Sequence, residues 1–306
     1  MLAAAAAAGA VAVAACGPGA VLTADTPGQA VSTAVEAAQT TPLRMNLTAD
    51  LTVNAGGVSG LPSSIQSALG QLGSGGSATG HLDQESAARR EITGSAGGHS
   101  LTVVQYDGHG YVSEDGGAYA EFSTTLPSST TVSTADVSAA VNALGFQDQG
   151  GTSVDGVSVE HYSAPITLSA LQKLAQSVTA SPSAGGMMGS LGQGLALVAP
   201  YVSGHGTVDL WLSTKDGSLV RASVSGSMSI DVGAIASALS GLLPMAGASG
   251  STASGSLEMG LSAQADVSDY GGSVTVSKPT ATSTLPGWGG SSSLPSSLWS
   301  SLISAA

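Results

Sequence analysis

The stretch LRMNLTADLTVN, residues 43–54, alternates apolar and polar side chains along its whole length. Its apolar phase holds Leu43, Met45, Leu47, Ala49, Leu51 and Val53. A period of two predicts a β-strand with one buried face and one solvated face. The pattern returns at residues 220–231 and 257–267. One-sided alternation of this kind is typical of an antiparallel sheet that is covered on one face.

Turn signals and helical patterns divide the rest of the chain. Asp-Gly pairs tolerate the positive φ angles of tight hairpins, so strand-like sequence around them predicts a series of hairpins. The pairs are Asp107-Gly108, Asp115-Gly116, Asp155-Gly156 and Asp216-Gly217. A short helix is predicted at residues 31–38, and longer helices at residues 133–145 and 167–178.

Three segments mix Gly and Ser with large apolar residues and carry almost no charge: residues 55–78, 181–204 and 232–254. They could form short apolar helices with flexible ends. Glycine at their borders suggests hinges, so we expect these segments to act as lids.

The chain begins with an apolar run, Met1 to Ala15, that is too short for a stable membrane-spanning helix but suits a signal peptide. Val13-Ala14-Ala15-Cys16 then matches a bacterial lipobox, which predicts acylation of Cys16. No cation precedes the run, unlike most signal peptides. The alternative is a buried helix with an incidental cysteine, which Gly17-Pro18-Gly19 disfavours. Residues 17–30 read as a flexible tether that spans roughly 20 Å.

Composition and charge exclude several functions. The formal net charge of −13 argues against a nucleic-acid partner, which requires clustered Lys and Arg. The histidines are scattered, and none has the spacing of a metal site, so we expect each at the surface or at a rim. The two Gly-His-Gly stretches are predicted to be turns. The histidines are His81, His99, His109, His161 and His205. No phosphate-binding loop is present in the sequence. We therefore expect no catalytic residue, no metal ligand and no cofactor.

One stretch, DQESAARRE at residues 83–91, is dense in charge. Arg89 and Arg90 are adjacent cations that could contact lipid headgroups. The favoured interpretation is a hairpin turn flanked by solvated charges.

The order of these elements resembles the mycobacterial LppX/LprG lipoprotein family, whose architecture is similar to the carrier LolA. The residues that carry the resemblance lie in three stretches, 106–122, 154–171 and 208–227. Gly156 and Tyr162 match the family's strand that leads into a helix. Trp211, Gly217 and Arg221 match its following hairpin.

The resemblance implies an α+β fold: a strongly curved antiparallel sheet, or half barrel, with helices across its concave face. It covers residues 31–278 and implies a lipid-binding domain there, after the signal peptide at residues 1–16 and the tether at 17–30. The three apolar segments and the Ser/Gly/Pro-rich tail at 279–306, for which a short helix is predicted, depart from the family. An apolar cavity would hold acyl chains of lipids or glycolipids. The aromatic content of 4% fits an open cavity better than a tightly packed aromatic core. The apolar strand positions expected to line it are Leu47, Leu51, Val53, Leu210, Leu212, Val224, Met228, Met259 and Leu261.

The expected function is a non-catalytic lipoprotein that carries lipid across the cell envelope, held outside the cytoplasm by a diacylglyceryl group on Cys16. Its expected partners are the membrane, a lipid or glycolipid ligand and a membrane transporter that loads or accepts that ligand. The alternative is a structural or protein-interaction lipoprotein without a lipid cargo, which predicts a filled core and an exposed apolar patch.

Overall fold

A computed structural model of the chain describes residues 26–55, 57–60, 75–122, 138, 141–167, 202–234 and 254–285. Twelve strands in these ranges form one sheet. The strands are β1 (Leu43–Asn54), β2 (Gly76–Ser86), β3 (Arg89–Ala96), β4 (His99–Tyr106), β5 (His109–Glu114), β6 (Tyr119–Phe122), β7 (Gln147–Val154), β8 (Val157–Ile166), β9 (Val202–Ser213), β10 (Leu219–Asp231), β11 (Ser256–Ser268) and β12 (Ala281–Leu285).

The strand order is β12-β6-β5-β4-β3-β2-β1-β11-β10-β9-β8-β7. Every neighbouring pair is antiparallel except β12 with β6, which is parallel. The large antiparallel sheet predicted from the alternating strands is therefore confirmed. β1 lies near its centre and joins the early hairpins β2–β6 to the later strands β7–β11.

The register of β1 places its apolar phase opposite the apolar phases of both neighbours. Leu51 pairs with Leu261 of β11, and Met45 pairs with Leu82 of β2. Asn46, in the polar phase, lies between His81 and Asp266. Because the side-chain period is two, this register gives the sheet one apolar face and one polar face.

One helix, α1 (Pro27–Ala38), packs on the apolar face. Thr26 caps its N-terminus by accepting a hydrogen bond from the Gln29 N–H at 3.3 Å, and proline at the first position favours the helical φ angle. The helix starts at Pro27, earlier than the predicted residue 31, so the last residues assigned to the tether are helical. Its buried residues are Ala30, Val31, Ala34, Val35 and Ala38.

These helix residues share a core with strand residues at one end of the sheet. That part of the core contains Leu43, Met45, Leu82, Tyr162, Ala164, Val208, Leu210, Leu212, Leu219, Ala222 and Ala265. Small helix residues against larger strand residues allow a close approach, so α1 covers this end of the apolar face.

The other predicted helices are described only in part. Residues 141–144 are helical, and the helix ends at Gly145, whose φ of 71° suits a left-handed cap. Val141 reaches the same core as α1. The predicted helix at 167–178 lies almost entirely outside the described residues. Among the residues that the structure describes, no helix is long and apolar enough to cross a membrane.

The predicted lid segments also lie mostly outside the described residues. The described end of the third segment, residues 232–234, is helical as expected, whereas the described ends of the other two differ from the expectation. Residues 76–78 belong to β2 and residues 202–204 to β9, so both predicted segments extend into strands.

The Asp-Gly hairpins form as predicted. Asp107, Asp115 and Asp155 all have positive φ angles near 50°, and the glycine after each is positive as well. Two consecutive positive φ angles match the turn type that follows the right-handed twist of a hairpin. At the fourth pair only Gly217 has a positive φ angle.

The fold does not end at residue 278. Val274 and Val276 are buried, and Val276 packs with Val104 and Tyr111 on the polar face. β12 then pairs with the edge strand β6. This part of the predicted tail therefore belongs to the sheet, while residues 286–306 lie outside the described part of the chain.

The core beneath α1 gives a direct test of this packing. Met45 is completely buried, so Met45→Ala should lower the free energy of unfolding by about 2–5 kcal/mol because it leaves a cavity. Thr48→Ala, on the exposed phase of the same strand, is the matched control and should change it by about 0.5 kcal/mol or less. Equal effects of the two substitutions in urea unfolding would contradict the assigned faces.

Candidate functional site

The candidate site is the side of the sheet that carries Leu47, Leu51 and Val53, which we call the apolar face. The opposite side, which carries Asn46 and Asp266, is the polar face. Cross-strand pairs bring the apolar residues of separate strands side by side: Val53 lies beside Met259, which lies beside Met228.

All the strand positions predicted to line a cavity lie on the apolar face, as their register shows. They separate into two groups by burial. Val53, Leu210 and Leu212 are buried, and the two leucines belong to the core beneath α1. The half-buried group is Leu47, Leu51, Val224, Met228, Met259 and Leu261. Contact of either group with a ligand remains a prediction.

Small residues make the middle of the apolar face shallow. Ala49 pairs with Ala263, and Gly226 pairs with both Gly206 and Leu261. A Cβ atom on Gly206 would lie 2.5 Å from the backbone oxygen of Ser225, so this close strand approach requires glycine. The larger side chains of Leu51, Met228 and Met259 therefore lie beside a region of the face where the side chains are small or absent.

A group of polar side chains is buried at the end of the apolar face near the C-terminus of α1. We call Gln39, Gln84, Arg90 and Gln105 the buried polar group. Each is at most 8% exposed. Gln84 lies opposite Arg90 on β3, and Arg90 lies opposite Gln105 on β4.

Two members of this group fasten the end of the helix to the sheet. The Gln84 amide nitrogen donates to the carbonyls of Ala38 and Thr41 at 2.6 and 2.7 Å. Arg90 donates through Nη2 to the Gln39 carbonyl at 3.0 Å. Helix ends leave carbonyls without intrahelical partners, so these donors satisfy groups that would otherwise be buried alone.

Other polar atoms of the group are not satisfied in this way. Within the described residues, Gln105 Nε2, Gln84 Oε1 and Gln39 Oε1 are buried and have no hydrogen-bond partner. Burial also lowers the pKa of Arg90 below its usual range. Burying an unpaired polar atom lowers the stability of the fold, and native structures seldom do so. Such atoms are therefore worth examining for a function.

The burial of Arg90 corrects the prediction that DQESAARRE carries only solvated charges. The hairpin between β2 and β3 forms as predicted, but Arg90 lies opposite Gln84 and shares the apolar phase of β3 with Ile92. The sequence analysis also missed Gln84 and Gln105. Their signal was available, because both occupy the apolar phase of their strands.

Arg89 behaves differently from its neighbour and stays on the polar face. It contacts Glu85 at 2.9 Å, both oxygens of Asp107 at 3.0 Å, and the ring of Tyr106 at 4.7 Å. These hydrogen bonds, first that of Asp107, raise the pKa of Arg89. The backbone N–H of Val276 donates to Glu85 and is the main reason that the pKa of Glu85 is lowered.

The polar face carries ion pairs and one aromatic stack. Arg221 contacts Asp155 and Asp266, in the hairpin that the family resemblance singled out. His161 stacks on Trp211 with ring centroids 4.7 Å apart, and its Nε2–H donates to a carboxylate oxygen of Asp209 at 2.9 Å. These charged and aromatic side chains therefore all have partners within the sheet.

The histidines of the two Gly-His-Gly stretches lie in strands and not in turns, as was predicted, although Gly108 belongs to the Asp107-Gly108 turn. His109 begins β5 and pairs with Glu121 at 2.8 Å, and His205 is an exposed residue inside β9. Both project from the polar face, where alternation with glycine on the apolar face places them.

One cluster in the described residues could hold a cation: His99, Glu114 and Asp115, with ligand atoms within 4.8 Å of one another. All three are exposed. His99 pairs with one Asp115 oxygen at 3.0 Å, while the other oxygen accepts from the Ser100 N–H at 2.7 Å. These contacts fasten two neighbouring hairpin ends without a metal. Cys16, the predicted lipidation site, lies outside the described residues.

The pairing of His99 with Asp115 predicts a measurable titration. The hydrogen bond from the imidazole to the carboxylate raises the pKa of His99. The pKa of Asp115 is lowered first by the Ser100 N–H and then by the imidazole. Asp115→Asn should therefore return the pKa of His99 toward the ordinary value of about 6.5. Ring resonances followed by NMR as a function of pH would measure it.

Glu114→Gln is the control, since Glu114 is the smallest contributor to the raised pKa of His99. Because folding raises this pKa, the pair stabilises the fold fully below histidine's ordinary pKa and loses that effect as pH rises through the raised value. An unchanged titration in Asp115→Asn would refute the pairing.

Comparison with known proteins gives structural matches only. No family profile and no curated protein matches the sequence. The solved structure of lipoprotein LppX from Mycobacterium tuberculosis matches at 13% identity over 76% of this chain and 89% of that chain, with a TM-score of 0.29. LprF from Mycobacterium bovis matches at 14% identity over 77% and 90%, with a TM-score of 0.32.

A DUF1329 family protein from Desulfovibrio piger matches at 11% identity over 76% of this chain and 87% of that chain, with a TM-score of 0.20. The matches thus include LppX, one of the proteins after which the resembled family is called. At these identities and TM-scores we transfer no residue role, ligand or partner to this chain.

Proposed function

We propose that this protein is an envelope lipoprotein that binds the acyl chains of a lipid on its apolar face and carries them across the cell envelope without catalysing a reaction. The observation that carries this proposal is the half-buried apolar surface formed by Leu51, Met228, Met259 and Leu261 from three neighbouring strands. Ligand sites of this kind are mostly apolar and concave.

The side chains on this surface suit acyl chains of varied length. Methionine is unbranched and polarizable, so it adapts to irregular partners, and Met228 pairs directly with Met259. The small residues Ala49, Gly226 and Ala263 leave room between the larger ones. Each methylene that leaves water contributes roughly 0.8 kcal/mol, before the cost of ordering the ligand.

The proposed architecture places the sheet as a half barrel whose concave side is the apolar face. Helix α1 closes one end of that face, since its buried residues pack on Met45, Leu210 and Leu212. We propose that the Gly-flanked apolar segments cover the other end as lids. A membrane transporter that loads or accepts the lipid is the proposed partner.

The proposed anchor is a diacylglyceryl group on Cys16. It is supported by the apolar residues before the cysteine and the small residues at the cleavage position. Residues 17–25 would then tether α1 to the membrane surface. Two acyl chains give stable anchoring where a single chain binds reversibly, so the protein would remain outside the cytoplasm and at the membrane.

A charge placed on the apolar face should abolish lipid uptake. Leu261→Asp should lower the affinity for a fluorescent fatty-acid probe at least tenfold, because a carboxylate would have to lose water against the acyl chain. Ser262→Asp is the matched control, since it adds the same charge at the next residue, on the exposed phase of β11. Fluorescence titration of both folded variants would measure the difference.

Equal affinities of the two aspartate variants would contradict binding on the apolar face. A wild-type protein that binds no probe and carries no extractable lipid would instead favour the alternative of a protein-interaction lipoprotein.

The anchor has its own test. Intact mass spectrometry of protein from a bacterial host should show a diacylglyceryl adduct that Cys16→Ala removes, because the thiol is the acceptor. The variant should also leave the membrane fraction. An unmodified Cys16 in mature protein, or membrane retention of Cys16→Ala, would contradict the proposed anchor.

A further inference from the structure

The buried polar group lies on the same face as the proposed acyl-chain surface. Gln84, Arg90 and Gln105 form a lateral row across β2, β3 and β4. Directly opposite residues in antiparallel strands have Cβ atoms about 4.5–5.5 Å apart, so the three side chains are neighbours. The row therefore gives the apolar face a polar end.

An apolar row borders this polar end, in which one residue is buried, one is half-buried and one is exposed. Two residues along each strand, the next row on the same face is Leu82, Ile92 and Val103. Ile92 is 40% exposed, which is unusual for a large apolar residue in the middle of a sheet. A ligand on this part of the apolar face would therefore reach the buried polar group within one row of side chains.

The fastening of α1 does not account for the whole group. It uses the Gln84 amide nitrogen and Nη2 of Arg90, and it leaves the Gln105 amide without a role. Gln105 Nε2 is a buried donor, and Gln84 Oε1 is a buried acceptor, each unpaired within the described ranges. Polar atoms retained in this state at a cost to stability are typical of ligand sites.

The charge of the group indicates the chemistry of the ligand. Arg90 is 7% exposed and brings a guanidinium group to the apolar face, although the chain as a whole has a formal net charge of −13. Guanidinium groups match the oxygens of phosphate and carboxylate, and a neighbouring amide N–H can donate to the same oxygens. The unpaired Gln84 Oε1 would accept from a hydroxyl group.

We infer that the buried polar group binds the acidic, hydroxyl-bearing head group of a lipid whose chains lie on the apolar face. Arg90 and Gln105 donate to its phosphate or carboxylate oxygens, and Gln84 Oε1 accepts from a hydroxyl. This inference rests on the proposed function and adds the class of lipid: the protein selects anionic lipids over neutral ones with the same chains.

The test compares two lipids that differ only in the head group. Dioctanoyl phosphatidylglycerol has a phosphate and hydroxyls, whereas dioctanoylglycerol has no phosphate. Both compete with a fluorescent fatty-acid probe, below their critical micelle concentrations. We expect the wild-type protein to bind the phosphatidylglycerol at least tenfold more tightly. Glycerol 3-phosphate alone should not compete, because it has no chains.

Variants assign the preference to the buried polar group. Gln105→Leu should remove most of the preference without lowering the melting temperature, because it deletes an unpaired buried donor. Arg90→Gln should do the same where it folds, as judged by circular dichroism. Arg221→Gln, on the polar face, is the control and should retain the preference. In each variant the affinity for dioctanoylglycerol should stay within twofold of wild type.

The outcomes separate this inference from the proposed function. Equal affinities of the wild-type protein for the two lipids, as expected if water satisfies the group, would overturn the inference and leave acyl-chain binding intact. A preference that survives Gln105→Leu would also overturn it, as would full competition by glycerol 3-phosphate. Binding of neither lipid would overturn both.

Discussion

The register of β1 is the constraint on which the rest of the structure depends. It fixes which face carries Leu47, Leu51 and Val53, and through its two neighbours it sets the phase of the strands on either side. A shift by one residue would turn this whole set toward the polar face and bring Arg44 and Asn46 beneath α1. Both the core and the proposed ligand surface therefore follow from one pairing.

The apolar face serves two purposes, and α1 divides it between them. Where Ala30, Ala34 and Ala38 approach the sheet, the strand residues are buried and form the core. Beyond the helix the same face continues as the half-buried surface around Met228 and Met259. The buried polar group lies at the C-terminus of α1, so its side chains both hold the helix and face the apolar surface. Stability and the proposed binding are thus joined at Gln84 and Arg90.

Much of the sheet could be predicted from sequence because its signals are local. Alternation in residues 43–54 and the Asp-Gly turns specify strands and hairpins through neighbouring residues alone. The predicted lining positions share one face for the same reason. What could not be predicted depends on long-range contacts: the earlier start of α1 and the parallel pairing of β12 with β6.

Arg90 shows this limit most clearly. Two adjacent arginines beside a turn look alike in sequence, and an exposed position is the ordinary expectation for both. Adjacent residues of a strand point to opposite faces, so Arg89 lies on the polar face and Arg90 on the apolar face, where the Gln39 carbonyl at the end of α1 holds it. Gln84 and Gln105 were detectable only as polar residues in an apolar phase, a pattern that many solvent-exposed strand ends share.

The pairing of β1 with β11 has a consequence for how the protein folds. Thr52 and Gly260, which contact each other across this pair, are 208 residues apart in the chain. Contacts between distant segments slow folding, since the intervening loop must close before they form. During synthesis, one edge of β1 stays unpaired until nearly the whole chain has been made, with its backbone donors and acceptors open to other strands. A holdase that shields this edge would therefore raise the yield of folded protein.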